Sequence, residues 1–263
     1  MPGIFTKIAL ICYALATLHY LLLLTSEKIK QSSVGLIATG FTVAGFIAQS
    51  GELILQTVQN GHMPFVGARS SMAFFAWAIV LAYLFVETRY KMVIFGSFAL
   101  PLALLTGIYS SLLPAQIEPL ISGNKGVFIA VHASTAFIGF ASFSLAVCAS
   151  IMYLIQERQL KSKHQGRFYY RLPSLEILDK FSYKSISIGF PIFTISALLG
   201  LIWAFSSHPT QRGLRFQEIW WIFIWLAYAI LLQVRIAFGW RGRRAAYVAI
   251  AVFILACVPF VLR

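Results

Sequence analysis

Acid–base and metal-ligand chemistry in this 263-residue chain rests on few side chains: five histidines, eight acidic residues and three cysteines. His132 stands out. It lies in a long apolar run, between Val131 and Ala133 and ahead of Ser134 and Thr135. A buried neutral imidazole needs a partner, and a metal ion or a haem iron is one of the few that suit it; position alone leaves that open. Glu52 has Gln49 and Gln56 at i−3 and i+4, on the same face of a helix, so local hydrogen bonds are open to it. His19 and Tyr20 read as an interfacial pair at headgroup depth. His62 sits in the turn-like Gly61-His62-Met63-Pro64, where solvation explains it as well as ligation does, and His208 lies in a later connection. Glu218, Trp220 and Trp221 open a late apolar run. Arg69, Arg212 and Arg215 carry guanidinium forks suited to carboxylates. Cys12, Cys148 and Cys257 are far apart in apolar runs and read as small buried residues.

The elements that must position these groups follow from composition. The chain is 59% apolar and 11% charged, too little charge to cover the surface of a water-soluble domain. Eight segments are long enough to cross about 30 Å of hydrocarbon as helices, at roughly 4–24, 34–57, 71–88, 92–113, 127–156, 185–205, 219–238 and 245–262. The expected fold is all-α: one integral membrane domain over 1–263, with eight transmembrane helices. Pro101 and Pro191 fall inside spans, where neighbouring helices absorb a kink. The fifth span is long enough to leave the membrane. Pro173 to Phe181, with Ser174 followed by Glu176, reads as a short interfacial helix leading into the sixth. The first run lacks a small-residue cleavage site and reads as a true span rather than a leader.

The net charge is +13. In a soluble chain that would suggest nucleic acid, but here the basic residues lie in short connections between spans. Of the 21, 15 fall in the odd-numbered connections and six on the opposite side. The positive-inside rule then puts both termini outside and the 157–184 connection in the cytoplasm. That connection mixes basic residues with Phe168, Tyr169 and Tyr170, a pattern of a solvated or headgroup-facing loop that also suits a protein partner. No phosphate-binding loop, G-x-S-x-G elbow or H-E-x-x-H pair occurs, Asp179 is the only aspartate, and no inverted repeat is evident. Those absences argue against a soluble-type enzyme and against a transporter.

The C-terminal third carries a resemblance. Glu218-Ile219-Trp220, Trp225-Leu226-Ala227-Tyr228, Leu232-Gln233-Val234-Arg235 and Gly239-Trp240-Arg241-Gly242-Arg243-Arg244-Ala245-Ala246 are similar to the CcsA/CcmC/HemX family, membrane haem-handling proteins of cytochrome c assembly. Arg171-Leu172-Pro173-Ser174-Leu175-Glu176-Ile177-Leu178-Asp179, Gly200-Leu201-Ile202-Trp203-Ala204, His132 opening the fifth span, and Gly61-His62-Met63-Pro64-Phe65 extend the match over essentially the whole chain. The departures are as informative. The family's tryptophan-rich outer loop is degenerate: His208 stands at its first Trp, Gln211, Arg212 and Leu214 at its Tyr and later Trp positions, and Arg215 at its Asp. Gln233 replaces an intramembrane haem-ligating His, and His132 matches the family's first outer His.

The resemblance implies a haem-handling accessory protein of c-type cytochrome biogenesis, binding or presenting haem at the outer face and not itself catalytic. His132 would be the axial ligand to iron; His208, His62, Trp220, Trp221, Glu218, Arg212 and Arg215 would complete the site around a transient b-type haem. Partners would be a cytochrome c assembly protein that attaches haem to apocytochromes, and the lipid bilayer of a bacterial inner membrane, with no nucleic acid. The degenerate loop points to the HemX-like branch. Its alternative is a membrane anchor that has lost haem and regulates a cytoplasmic haem-biosynthesis enzyme, glutamyl-tRNA reductase.

Overall fold

The computed structural model describes residues 3–25, 31–60, 67–114, 124–162, 170–207 and 216–261. These fold into eight α-helices: α1 Ile4–Thr25, α2 Gln31–Asn60, α3 Ala68–Tyr90, α4 Gly96–Leu112, α5 Asn124–Lys161, α6 Leu175–Ser207, α7 Phe216–Ala237 and α8 Arg243–Val261. A single 3₁₀ turn, Val93–Phe95, precedes α4, and no strand occurs among the described residues. All eight spans are long and apolar enough to cross a membrane. Helices dominate because a bilayer offers no water to a backbone, so each segment must satisfy its own amides and carbonyls.

Span boundaries agree with the apolar runs to within a few residues, except at the sixth. The segment expected as a separate interfacial helix is continuous with that span in α6. Pro173 sets its start, the Ile177 amide donates to Ser174 Oγ at 3.4 Å, and no helix breaker separates Phe181 from Ser185. Pro101, Pro191 and Pro259 all lie inside helices.

The chain divides into two compact units, Met1–Val127 with Arg158–Leu172, and Phe128–Glu157 with Pro173–Arg263. In the first, α1 packs on α2 and α4, and α3 on α4 and α2, closing a ring of four helices. Polar side chains tie the ring together. Tyr13 donates to Gln49 Oε1 at 2.7 Å, Gln49 Nε2 donates to the Ala73 carbonyl at 2.8 Å, and Trp77 Nε1 donates to Ser50 Oγ at 2.8 Å. Glu52 takes one of its two expected partners, Gln56, at 3.0 Å. His19 donates from Nδ1 to the Leu15 carbonyl at 2.7 Å. Tyr20, expected beside it at the headgroups, is fully buried instead. Its position faces α2, α3 and α4, not lipid.

In the second unit α7 packs against α6 and α8. Helices α5 and α6 meet in an antiparallel register: His132 pairs with Ser196, Gly139 with Gly189 and Phe193, and Ser150 with Ser182 at 3.1 Å. Small residues at these crossings let the two backbones approach, the usual device where lipid removes the hydrophobic drive between helices. Around Phe143, stacked on Tyr228 with centroids 3.8 Å apart, an aromatic core joins Phe140, Phe193 and Phe253. At one end of this unit the Arg235 guanidinium donates to Asp179 Oδ1 at 2.8 Å, and the Gly242 amide donates to the same oxygen at 2.9 Å. One carboxylate thus pins the start of α6 to the α7–α8 turn. That explains in structural terms why the Leu-Glu-Ile-Leu-Asp and Gly-Trp-Arg-Gly stretches occur together.

Candidate functional site

The site forms at the other end of the second unit. Antiparallel packing brings there the start of α5, the end of α6, the start of α7 and the end of α8. His132 sits two turns into α5, and its Nδ1 lies 2.9 Å from the Ser196 carbonyl and 3.2 Å from Ser196 Oγ. A carbonyl accepts only, so Nδ1 carries the hydrogen and Nε2 is left with its lone pair. Ser196 Oγ in turn donates to the His132 carbonyl at 2.9 Å. Ser196 is 1% exposed, so this reciprocal pair is shielded from competing solvent. Nε2 has no hydrogen-bond partner among the described residues.

Gly200 closes the cradle. A Cβ built on it would stand 3.0 Å from His132 Cε1 and 3.5 Å from Nδ1. The ring thus fills the space that any larger residue would take. One turn further out, Phe128 and Trp203 stack with centroids 5.8 Å apart. Phe128 precedes His132 by four residues and Trp203 follows Gly200 by three, so both lie on the helix faces that carry the imidazole.

The tryptophans of α7 divide between two faces. Trp221 contacts Phe140 of α5 edge-on at 5.6 Å and Phe260 of α8 at 5.7 Å. Trp220 turns toward α8, where its Nε1 donates to the Leu255 carbonyl at 3.2 Å, and its ring lies near Phe216 and Phe223. Glu218 is half-buried in the first turn of α7, where a carboxylate is favoured by the unpaired amides of a helix start. Of the expected set, therefore, the structure brings His132, Trp221, Trp220 and Glu218 to one end of one unit. His62, His208, Arg212 and Arg215 lie outside the described residues. Arg69 belongs to the first unit, where its carbonyl accepts from Ser110 at 2.8 Å. Gln233 is exposed on α7.

Sequence reasoning missed Ser196, Gly200 and the Phe128–Trp203 pair. The Gly200-to-Ala204 stretch was singled out, but nothing local says that its glycine faces an imidazole. The arrangement suits one axial bond to a haem iron. The ring is oriented through Nδ1, its tautomer leaves Nε2 as donor, and aromatic side chains flank it, the support that iron- and zinc-bound histidines require. No group of three or more His, Cys, Asp or Glu side chains able to hold a bare metal ion occurs among the described residues.

Comparison with known proteins places the chain in a family. A family model described as cytochrome C assembly protein matches residues 65–262. Proteins named cytochrome c biogenesis protein CcsA are similar over most of their length. That of Synechococcus sp. (strain CC9311) is 27% identical over 95% of this chain and 92% of its own. For Synechococcus sp. (strain CC9902) the figures are 29%, 88% and 84%. For Guillardia theta they are 25%, 97% and 90%. These names lend no support to the HemX-like branch. The match over three-quarters of the chain shows that it belongs to the cytochrome c assembly protein family, of the CcsA/CcmC type.

Proposed function

We propose that this protein is a haem-handling membrane component of c-type cytochrome maturation, which binds haem through His132 Nε2 and presents it to a partner. The observation that carries the proposal is the Ser196 carbonyl at 2.9 Å from Nδ1, beneath a glycine that leaves room for the ring. It supports an imidazole whose orientation and tautomer are set before any ligand arrives. Haem, when bound, would supply an iron centre that His132 could hold through its free ring nitrogen. The residues of this chain do the rest: Ser196 fixes the ring, Gly200 leaves it space, and Phe128 and Trp203 offer apolar faces one turn away.

The wider reading follows from the basic residues. Both termini and the His132 end lie on the outer side of a bacterial inner membrane, and the basic connections, including 157–184, face the cytoplasm. The haem is b-type and transient. The family resemblance adds Arg212 and Arg215 as candidates for propionate pairing and His208 as a candidate second imidazole. The partner is an assembly protein that joins haem to an apocytochrome. A reduced-minus-oxidised absorption spectrum of the purified protein tests the proposal. The wild type shows a haem signal that His132→Ala loses while keeping its yield and helicity; a signal unchanged in His132→Ala contradicts it.

A further inference from the structure

The end of the second unit opposite His132 carries a cluster of cations that the proposed function does not use. Residues 238–242 join the spans Glu218–Ala237 and Arg243–Phe260. Five residues reach about 17 Å when fully extended, and these turn back on themselves, so the connection stays close to the headgroups. Its shape is fixed from several sides. Gly239 and Gly242 have φ +64° and +69°, the left-handed values that a tight turn needs. The Phe238 amide donates to the Val234 carbonyl at 3.1 Å. Asp179 holds the turn on α6 through Arg235 and the Gly242 amide. Phe238, Trp240 and Tyr247 are exposed around it, as aromatic side chains are at a membrane boundary.

Arg241, Arg243 and Arg244 all stand exposed on this turn. Among the described residues, no carboxylate lies within ion-pair distance of any of them. The two acids at the start of α6 are committed elsewhere, Glu176 to Lys180 at 2.6 Å and Asp179 to Arg235 at 2.8 Å. Glu157 and Glu176 attract Arg243 and Arg241 only from beyond that range. Arg243 lies instead over the Tyr247 ring, 5.4 Å from its centroid. Orientation by charge asks only that cations lie on one side of the membrane, not that three share one turn. Their placement is unfavourable without a ligand. The first turn of α8 holds no acid, and the positive end of a helix repels cations. Arg235, in the last turn of α7, stands at the end that favours it. An anion among the three guanidinium groups offsets both the helix end and their mutual repulsion.

We infer that the α7–α8 turn is a binding site for an anionic phospholipid, whose phosphate is held by Arg241, Arg243 and Arg244. A guanidinium fork matches two phosphate oxygens at once, and three forks on a fixed turn surround one headgroup. Lipid is the occupant because the turn lies at headgroup depth, with the exposed Phe238 and Trp240 beside the cations to meet glycerol and acyl chain. Asp179 and Arg235 position the turn from beneath and take no part in the contact. Lipid bound to the folded chain alone adds to its stability.

Native mass spectrometry of the full chain in detergent, titrated with phosphatidylglycerol, tests this. A basic residue at an anionic headgroup contributes about fivefold in affinity, so replacing all three arginines by glutamine weakens the tightest lipid adduct on the order of 100-fold. Replacing all three by lysine keeps the charge but loses the forks, and retains only part of the affinity. Arg89→Gln with Lys91→Gln, a charge change in the first unit, binds as the wild type does. Should the triple glutamine variant fail to fold, the single variants Arg241→Gln and Arg244→Gln each read about fivefold. Equal affinity in the wild type and the glutamine variants overturns the inference, as does an equal loss in the first-unit variant or equal binding of phosphatidylcholine. A melting temperature raised as much by inorganic phosphate or by polyglutamate as by phosphatidylglycerol also overturns it, because the turn then takes a free anion or an acidic protein segment.

Discussion

Replacing Gly200 by alanine adds one methyl group 3.0 Å from His132 Cε1. Carbon atoms in contact prefer about 3.5–4.0 Å, so the ring must retreat by roughly 0.5–1 Å. The Nδ1–carbonyl distance starts at 2.9 Å. Such a shift carries it past the range of about 2.7–3.2 Å in which an N–H···O bond is well formed. Losing that bond costs about 1 kcal/mol, roughly fivefold in affinity, and misorientation of Nε2 adds to it. Disturbing the groups that orient a metal-bound histidine weakens binding by about 10- to 100-fold. Gly200→Ala therefore raises the haem dissociation constant by on the order of tenfold. Equilibrium titration of detergent-purified protein, followed at the Soret band, measures this beside wild type and His132→Ala. A Gly200→Ala titration that overlays the wild type, while His132→Ala abolishes the signal, refutes the claim that the cradle sets the ring.

Further predictions concern the frame and its orientation. Arg235 is 3% exposed and Asp179 is its charge partner. Asp179→Ala therefore strands a buried guanidinium and frees the Gly242 amide, lowering stability by about 3–5 kcal/mol in detergent-based denaturation. Gly242 has φ +69° and would place a Cβ 2.5 Å from Tyr153 Oη. Gly242→Ala costs about 2–4 kcal/mol from the left-handed backbone and the overpacking together, and adding Tyr153→Phe recovers part of it; no recovery would mean the clash is not the cause. In a cysteine-free chain, Lys161→Cys reacts with a membrane-impermeant thiol reagent only after the cells are opened, while Lys125→Cys reacts from outside; the reverse pattern contradicts the orientation drawn from the basic residues.

The eight spans were legible because apolar length alone decides whether a helix can cross lipid. What the sequence hid were partnerships between distant residues. Glu87, near the end of α3, gives no sign in the sequence that it is buried; the hydroxyls of Tyr20 and Thr39, from two other helices, meet it there. Tyr20 was misplaced for the same reason, since a tyrosine beside a histidine near a span end looks interfacial until its far side is seen packed. His132 stands out in the sequence by its apolar neighbours and its match to the family. Ser196 and Gly200, 64 and 68 residues away, gave no local sign that they hold it. Asp179 and Arg235 were seen as pieces of separate motifs, and their ion pair is what joins those motifs.

The central claim is that one imidazole of this chain ligates haem iron. His132→Gly removes the ring but keeps the helix and leaves a cavity beside Ser196 and Gly200, so free imidazole offers a direct test. The account predicts that His132→Gly purified from haem-supplemented cells lacks the wild-type Soret band, and that added imidazole restores both the band and its reduced-state spectrum. A variant that binds haem with a wild-type spectrum in the absence of imidazole contradicts the account.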